Sequence, residues 1–303
     1  MTVLRGAGLG LRPPYFRAAL AGDPRVAFWE VVTENLMVAG GHPRRIAFAA
    51  REHAPIVLHG VSLSIGSADP LSEDYLARLR VLVEELEPAL VSDHLCWSGI
   101  DGRSAHDLWP LPATEAALAH VASRVHAVQD HVQRQILLEN PASYARFPTD
   151  EMTEHAFFAE LVRRTGCGIL LDVSNLHVSA ENFGWDAEAY VRALPAGAVQ
   201  HVHLAGHTKR EEMLLDTHDR AICEATWELY AFAMRELGTV ATSIERDDRI
   251  PPLDELVAEL DKIRAIQSGL ELGTRSSEPE PEPDSRPEFA TASTSDSDPF
   301  DPF

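Results

Sequence analysis

Residues 168–175 read GILLDVSN: an aliphatic run with no polar side chain until Asp172, followed closely by Asn175. A run of this kind reads as a strand buried on both faces, the habit of parallel strands covered by helices. Its polar end carries the second half of the message. The pattern recurs along the chain: IVLHG (56–60) stops at His59, LVSDH (90–94) at Asp93 and His94, and ILLEN (136–140) at Glu139. VQHVHLAGH (199–207) carries His203 and His207, and VATSIE (240–245) stops at Glu245.

Working outward, eight apolar runs lie near residues 6–11, 27–32, 55–59, 89–93, 135–139, 168–172, 199–204 and 240–245. Helical patterns separate them. LSEDYLARLRVLVEELEP (71–88) opens on Ser72 as a cap and stops at Pro88, and TEAALAHVASRVHAVQDHV (114–132) opens on Thr114. DRAICEATWELYAFAMREL (219–237) is expected to begin near Asp219 and stop at Gly238, and PLDELVAELDKIRAI (252–266) follows a double proline. Eight strand–helix units in order predict an α/β fold, a (β/α)8 TIM barrel. In such barrels the site lies at the C-terminal ends of the strands, so the polar residues above should face one opening.

Bulk properties fit one barrel. The chain has 303 residues and 45% hydrophobic content, against about 250 residues for a typical barrel. The folded unit is expected over residues 1–268. Residues 269–303, rich in Pro, Glu, Ser, Thr and Asp and ending DPFDPF, are expected to be a disordered acidic tail or a docking segment. From Glu271 onward nine acids and two arginines contribute −7 of the net charge of −21, leaving −14 for the body. No basic face is visible, which argues against a nucleic-acid partner. No apolar run is long enough to span a membrane, and no export signal is evident at the start. Three unpaired cysteines, Cys96, Cys167 and Cys223, point to a reducing compartment, so a cytoplasmic location is expected.

His59, His94, Glu139, Asp172, His203 and Glu245, with Asn175, His177, His207 and Asp216 nearby, mix imidazole and carboxylate donors without a thiolate, which suits iron, zinc or manganese. Several carboxylates can bridge two ions and offset their charge. Each residue also has a plainer role: Glu139 and Asp172 could cap helices or pair with Arg146 or Arg164, and Glu245 could pair with its neighbour Arg246. A carboxylate alone among apolar strands is costly, however, and six such residues at the ends of six strands point to a joint metal site. GAGLG (6–10) lacks the spacing of a phosphate loop and reads as a strand and turn. DTHD (216–219) offers a ligand, a proton shuttle or a helix cap, and Cys96 reads as loop packing or a redox-sensitive thiol. Arg246 and Lys209 read as surface charges or as anchors for peptide carboxylates.

The stretches TENLMVAGG, LHGVSLSIGS, SDHLCW, LLENPASY, LLDVSNLHVSA, HVHLAGH and DTHD together resemble the multinuclear non-heme iron-dependent oxidative enzymes, the group that includes the methanobactin biosynthesis oxidase. The resemblance covers roughly residues 5–266 and leaves out the tail. It implies a barrel related to xylose isomerase and endonuclease IV, holding two or three irons in a mixed Fe(II)/Fe(III) state, with O2 as co-substrate. One iron would be held by His59, His94 and a bridging Glu139, a second by Asp172, His203 and Glu245, and a third by some of Asn175, His207 and Asp216. The substrate it implies is a ribosomally synthesised precursor peptide, often modified at cysteine, presented in many members by a small partner protein. Two rivals remain at this point: a divalent-metal barrel isomerase or hydrolase acting on a sugar-like substrate, and a peptide-binding scaffold without catalysis.

Overall fold

The computed structural model describes residues 3–38 and 40–275. In chain order the strands are β1 (Ala7–Gly10), β2 (Trp29–Val32), β3 (Ile56–His59), β4 (Leu90–His94), β5 (Trp97–Ile100), β6 (Arg103–Trp109), β7 (Leu137–Glu139), β8 (Gly168–Asp172), β9 (Val199–Leu204), β10 (His207–Arg210), β11 (Met213–Asp216) and β12 (Ala241–Ile244). The helices are α1 (Phe16–Leu20), α2 (His42–Ala50), α3 (Glu73–Leu86), α4 (Glu115–Val132), α5 (Glu154–Thr165), α6 (Val173–Phe183), α7 (Ala187–Ala193), α8 (Glu224–Leu237) and α9 (Leu253–Arg275). Eight strands close a barrel in the order β1-β12-β9-β8-β7-β4-β3-β2, and every pairing in it is parallel. This is the (β/α)8 barrel that the eight runs predict, and GAGLG supplies its first strand.

Local chemistry sets the helix ends. Ser72 Oγ accepts the Tyr75 N–H ahead of α3, and Thr114 Oγ1 accepts the Ala117 N–H ahead of α4; each satisfies an amide the helix itself leaves free. Gly238 ends α8 at φ +83°, a conformation that costs glycine little. One start differs from expectation. Helix α8 begins at Glu224, with Cys223 rather than Asp219 at its N-cap position. Helix α9 also runs past Ser268 to Arg275, into the stretch assigned to the tail. The rest of that expectation, from residue 276 on, lies outside the described residues.

Side chains alternate along a strand, so one residue in two points into the barrel. Near the strand starts the interior is apolar: Phe28, Val57 and Ala241 form a small buried cluster of their own. One step up lie Glu30, His201 and Ser243, all buried. At the top come His59, Glu139, Asp172, His203 and Glu245. The other side chains join the large core under the helices, through Leu9, Leu58, Leu138, Leu171, Val202 and Ile244. Two antiparallel hairpins, β5–β6 and β10–β11, rise from the ends of β4 and β9 over the same opening. Among the described residues no helix is long and apolar enough to cross a membrane.

Candidate metal centre

At the C-terminal end of the barrel, donor atoms crowd together. His59, His94 and Glu139 place one donor each within 4.8 Å of one another, and so do Glu139, Asp172, His203 and Glu245. Glu139 is the hub. Its Oε2 lies 3.1 Å from His59 Nε2 and 3.3 Å from His94 Nε2; its Oε1 lies 3.2 Å from His203 Nδ1. Glu245 Oε2 approaches His203 Nδ1 to 3.2 Å from the other side. Above them, His218 Nε2 lies 2.6 Å from Asp216 Oδ1 without hydrogen-bond geometry. His218 Nδ1 faces Asp247 at 3.0 Å and Glu245 at 3.3 Å. Asn175, Asp216, His218 and Glu245 line a cavity of about 240 Å³ together with His59, His94 and Glu139.

The surroundings fix which imidazole nitrogen faces the centre. Ser92 donates its hydroxyl to the Leu58 carbonyl, so its oxygen is left to accept His59 Nδ1–H at 2.9 Å. His94 Nδ1 lies 3.1 Å from the Gly60 carbonyl and donates to it. His203 directs Nε2 to the Glu30 carboxylate at 2.9 Å. In His59 and His94 the inward nitrogen is therefore free to bind a cation, the arrangement by which outer partners orient metal-binding histidines, while His203 Nδ1 donates to Glu139 Oε1 and would give up that proton to do the same. Asn140 braces the rim, bonding both the N–H and the carbonyl of Asp172 at 2.9 Å.

Charge is heavily perturbed here. Burial opposes the charge of Glu139, but His94, His203 and His59 together outweigh it and hold its carboxyl well below the usual range. Asp172 is pushed well above that range by burial, then by Glu139 and Asp216. Burial drives His59 well below its ordinary value. His203 and His218 resist the same burial and stand well above it, His203 because of Glu245, Glu30 and Glu139, His218 because of Asp216, Asp247 and Glu245. Glu139 Oε2, Asp172 Oδ2 and Asn175 Oδ1 are buried without a hydrogen-bond partner, while Asp216 Oδ1 and His218 Nε2 face each other as an ion pair. An unpartnered buried polar group costs about 1–3 kcal/mol, and three beside one cluster of imidazoles and carboxylates fit a place built for cations. The donor set, imidazole and carboxylate with open space above, suits iron, zinc or manganese.

Of the residues singled out from sequence, His59, His94, Glu139, Asp172, His203 and Glu245 come together, with Asn175 and Asp216 beside them. His207 does not join them. Strand β9 ends at Leu204, and the chain turns at Gly206, where a Cβ would stand 2.1 Å from the Arg220 carbonyl oxygen. His207 then starts β10 and meets His177 instead, with ring centroids 5.1 Å apart. Arg246 is neither a surface charge nor an anchor at the opening; it is buried and paired with Glu259 at 2.7 Å. Lys209 is exposed on the hairpin. Arg164 pairs with Glu115 and Glu160, and Arg146 covers Phe183, so neither neutralises Glu139 or Asp172. The capping role does hold in part: Asp172 Oδ1 accepts the Asn175 N–H at 2.7 Å, leaving Oδ2 free. Cys96 is fully buried, and burial pushes its thiol up.

Sequence reasoning missed His218 and Glu30. Both left a signal. His218 stands inside DTHD, the stretch already read as a source of a ligand or a proton shuttle. Glu30 is the lone acid in the apolar run AFWEVV (27–32).

A model of the RiPP precursor modification enzyme family MbnB/TglH/ChrH matches residues 6–268. The chain belongs to this family. Membership makes it an enzyme of a kind that modifies ribosomally synthesised precursors, and it implies a precursor peptide as substrate. A UPF0276 protein of Caulobacter vibrioides is 51% identical over 261 residues, covering 86% of this chain and 93% of the relative. Another UPF0276 protein, of Chromobacterium violaceum, is 46% identical over 270 residues, 89% of this chain and 98% of its own. Among solved structures, a xylose isomerase domain containing protein of Salmonella typhimurium superposes with a TM-score of 0.57 at 13% identity, covering 89% of this chain and 99% of that one. Endonuclease IV of Thermus thermophilus gives 0.56 at 15% identity, covering 87% and 99%. Likeness at that identity speaks for the barrel alone.

Proposed function

We propose that this chain is an iron-dependent, O2-using oxidase or oxygenase that modifies a residue, most often cysteine, of a ribosomally synthesised precursor peptide. The observation that carries the reading is the clustering of buried imidazole and carboxylate donors, with oxygens of Glu139, Asp172 and Asn175 left unpartnered, in a member of a precursor-modifying family. His59, His94 and Glu139 would hold one iron, and Asp172, His203 and Glu245 a second with Glu139 shared. Asn175, Asp216 and His218 would hold a third; His207, placed elsewhere, is left out of this set. Two or three irons in a mixed Fe(II)/Fe(III) state would supply binding of a thiolate and of O2, together with the one-electron chemistry that joins them.

The chain's own residues do the rest. Ser92, Gly60 and Glu30 keep three imidazoles aimed inward. Glu139 brings negative charge to a buried site. His218, between Asp216 and Asp247, is placed to hold or release a proton at Nδ1 beside the open cavity. Next to that cavity, and sharing Pro141 with it, lies a second, mostly apolar one of about 370 Å³ lined by Leu111, Phe147, Phe157 and Trp185. It offers a seat for an apolar side chain of a bound peptide while the reacting residue reaches the donors. A small partner protein that presents the peptide belongs to the same proposal.

The test is anaerobic reconstitution with Fe(II), followed by O2 uptake and mass spectrometry of a short precursor peptide encoded beside the gene. A peptide mass change that needs both iron and O2 supports the reading. Full activity on a sugar-like substrate with Zn(II) or Mn(II) and no O2 would replace it with the isomerase or hydrolase alternative.

A further inference from the structure

We infer that His177, His207 and Cys223 form a second metal site, distinct from the barrel centre, that takes a single borderline-soft divalent cation, Zn(II). The three side chains place one donor atom each within 4.8 Å of one another. Cys223 Sγ lies 4.0 Å from His177 Nε2. A tetrahedral zinc with ordinary bond lengths sets a sulfur and a nitrogen about 3.6 Å apart, so this pair needs to close by only a few tenths of an ångström. His207 Nδ1 is buried and has no hydrogen-bond partner. A packing cluster leaves that nitrogen at a loss, whereas a cation gives it a partner.

Each residue is delivered by a different element. His177 lies in α6, His207 opens β10, and Cys223 occupies the N-cap position of α8. The cap residue has extended backbone and makes no side-chain capping bond, so its sulfur is available, with Thr226 Oγ1 at 3.3 Å. The thiolate is the form of cysteine that binds metal. Burial lowers both imidazoles from their ordinary value, a direction that suits metal binding. Among the described residues no fourth His, Cys, Asp or Glu joins the three within 4.8 Å, so the fourth position falls to water.

The presence of sulfur separates the two sites. The groups at the barrel centre contain only imidazole and carboxylate, whereas a thiolate with two imidazoles prefers zinc. A cation here would tie α6, the β10–β11 hairpin and the start of α8 together. His207 is the cross-strand partner of Asp216, so the tie would also brace the strand that carries Asp216 to the centre; this bracing role, unlike the site itself, rests on the proposed iron reading.

The experiment loads the full chain, stripped by a chelator, with Co(II) as a visible stand-in for Zn(II). The expected result is a near-ultraviolet sulfur-to-cobalt charge-transfer band that saturates at one ion per chain and is displaced by Zn(II). It should be lost in Cys223→Ser and in His177→Gln and kept in Cys96→Ser. Uptake at the sulfur-free barrel centre, unchanged in these variants, shows that they fold. X-ray absorption of the zinc-loaded natural protein needs no variant and should show one sulfur with nitrogen or oxygen neighbours. Absence of the band, its survival in Cys223→Ser, or a zinc shell without sulfur overturns the inference. None of these readouts depends on iron or on peptide oxidation.

Discussion

Replacing Glu139 with Gln reaches furthest into the centre. Glu139 is the side chain common to the His59–His94–Glu139 group and the Glu139–Asp172–His203–Glu245 group. Gln keeps the volume and can still accept from His203, which now stands 3.2 Å from Oε1. The atom that changes most, Oε2, has no hydrogen-bond partner to lose. His203 also retains Glu30 at 2.9 Å and Glu245 at 3.2 Å. The charge that His94, His203 and His59 favour is lost, however, so folding without metal should cost about 3 kcal/mol, the scale for breaking one side of a buried charge pair. Cation binding is another matter. Loss of an outer partner of a metal ligand already costs about 10- to 100-fold in affinity. Taking tenfold as the floor for each of two ions, loss of a shared carboxylate weakens binding by at least about 100-fold, or about 3 kcal/mol. Anaerobic reconstitution with Fe(II), desalting and metal analysis, paired with thermal unfolding with and without iron, reads this directly. E139Q should retain at least one ion fewer per chain and lose most of the iron-dependent rise in Tm. Retention of the full complement with affinity within about threefold of the natural protein would refute the shared-ligand reasoning.

Three further outcomes follow from the same geometry. Asp172→Asn keeps a residue able to cap α6, so thermal stability without metal should hold within about 1 kcal/mol while metal retention falls; equal losses of both would mean that Asp172 serves the helix alone. His203, His218 and Asp172 stand well above their ordinary values, so protons compete with cations at these groups, and cation binding should release protons and strengthen as pH rises; a pH-indicator titration in weak buffer that detects no release on adding Fe(II) contradicts this. Burial raises Glu154 from 4.5 to about 7, with Tyr190 and Ser143 donating to its carboxylate. An acid whose folded value is raised keeps its proton longer in the native state, so stability falls as pH climbs from the unfolded value through the folded one. At about 1.4 kcal/mol per unit this reaches about 3 kcal/mol, and Glu154→Gln should remove that part of the slope in chemical unfolding curves taken across the window; parallel curves for the two proteins would exclude it.

The barrel and the rim of its site were legible because both rest on strong, local signals. Continuous aliphatic runs mark strands such as β3 and β8, and a polar residue at the end of a buried strand is conspicuous. The hairpins were not legible. Strand β6 is exposed along nearly its whole length, and an exposed short strand carries no apolar alternation to detect. That omission misplaced His207: VQHVHLAGH looks like one run, yet the chain leaves the barrel after Leu204 and restarts as β10. The start of α8 slipped for a similar reason, since Cys223 is not a residue that announces a cap whereas Asp219 is. His218 depends on contacts with Asp216, Asp247 and Glu245 that only the folded loop creates. Glu30 shows the reverse case, a signal present in the apolar run of β2 whose meaning emerges only when His203 arrives from far along the chain.

The most direct test of the central claim is metal analysis with Mössbauer spectroscopy on protein purified without added metal, followed by O2 uptake. The account predicts two or three irons per chain, partly Fe(II) and partly Fe(III), with O2 consumed in the presence of the precursor peptide. Zinc or manganese alone, with no O2 uptake after iron reconstitution, would contradict it.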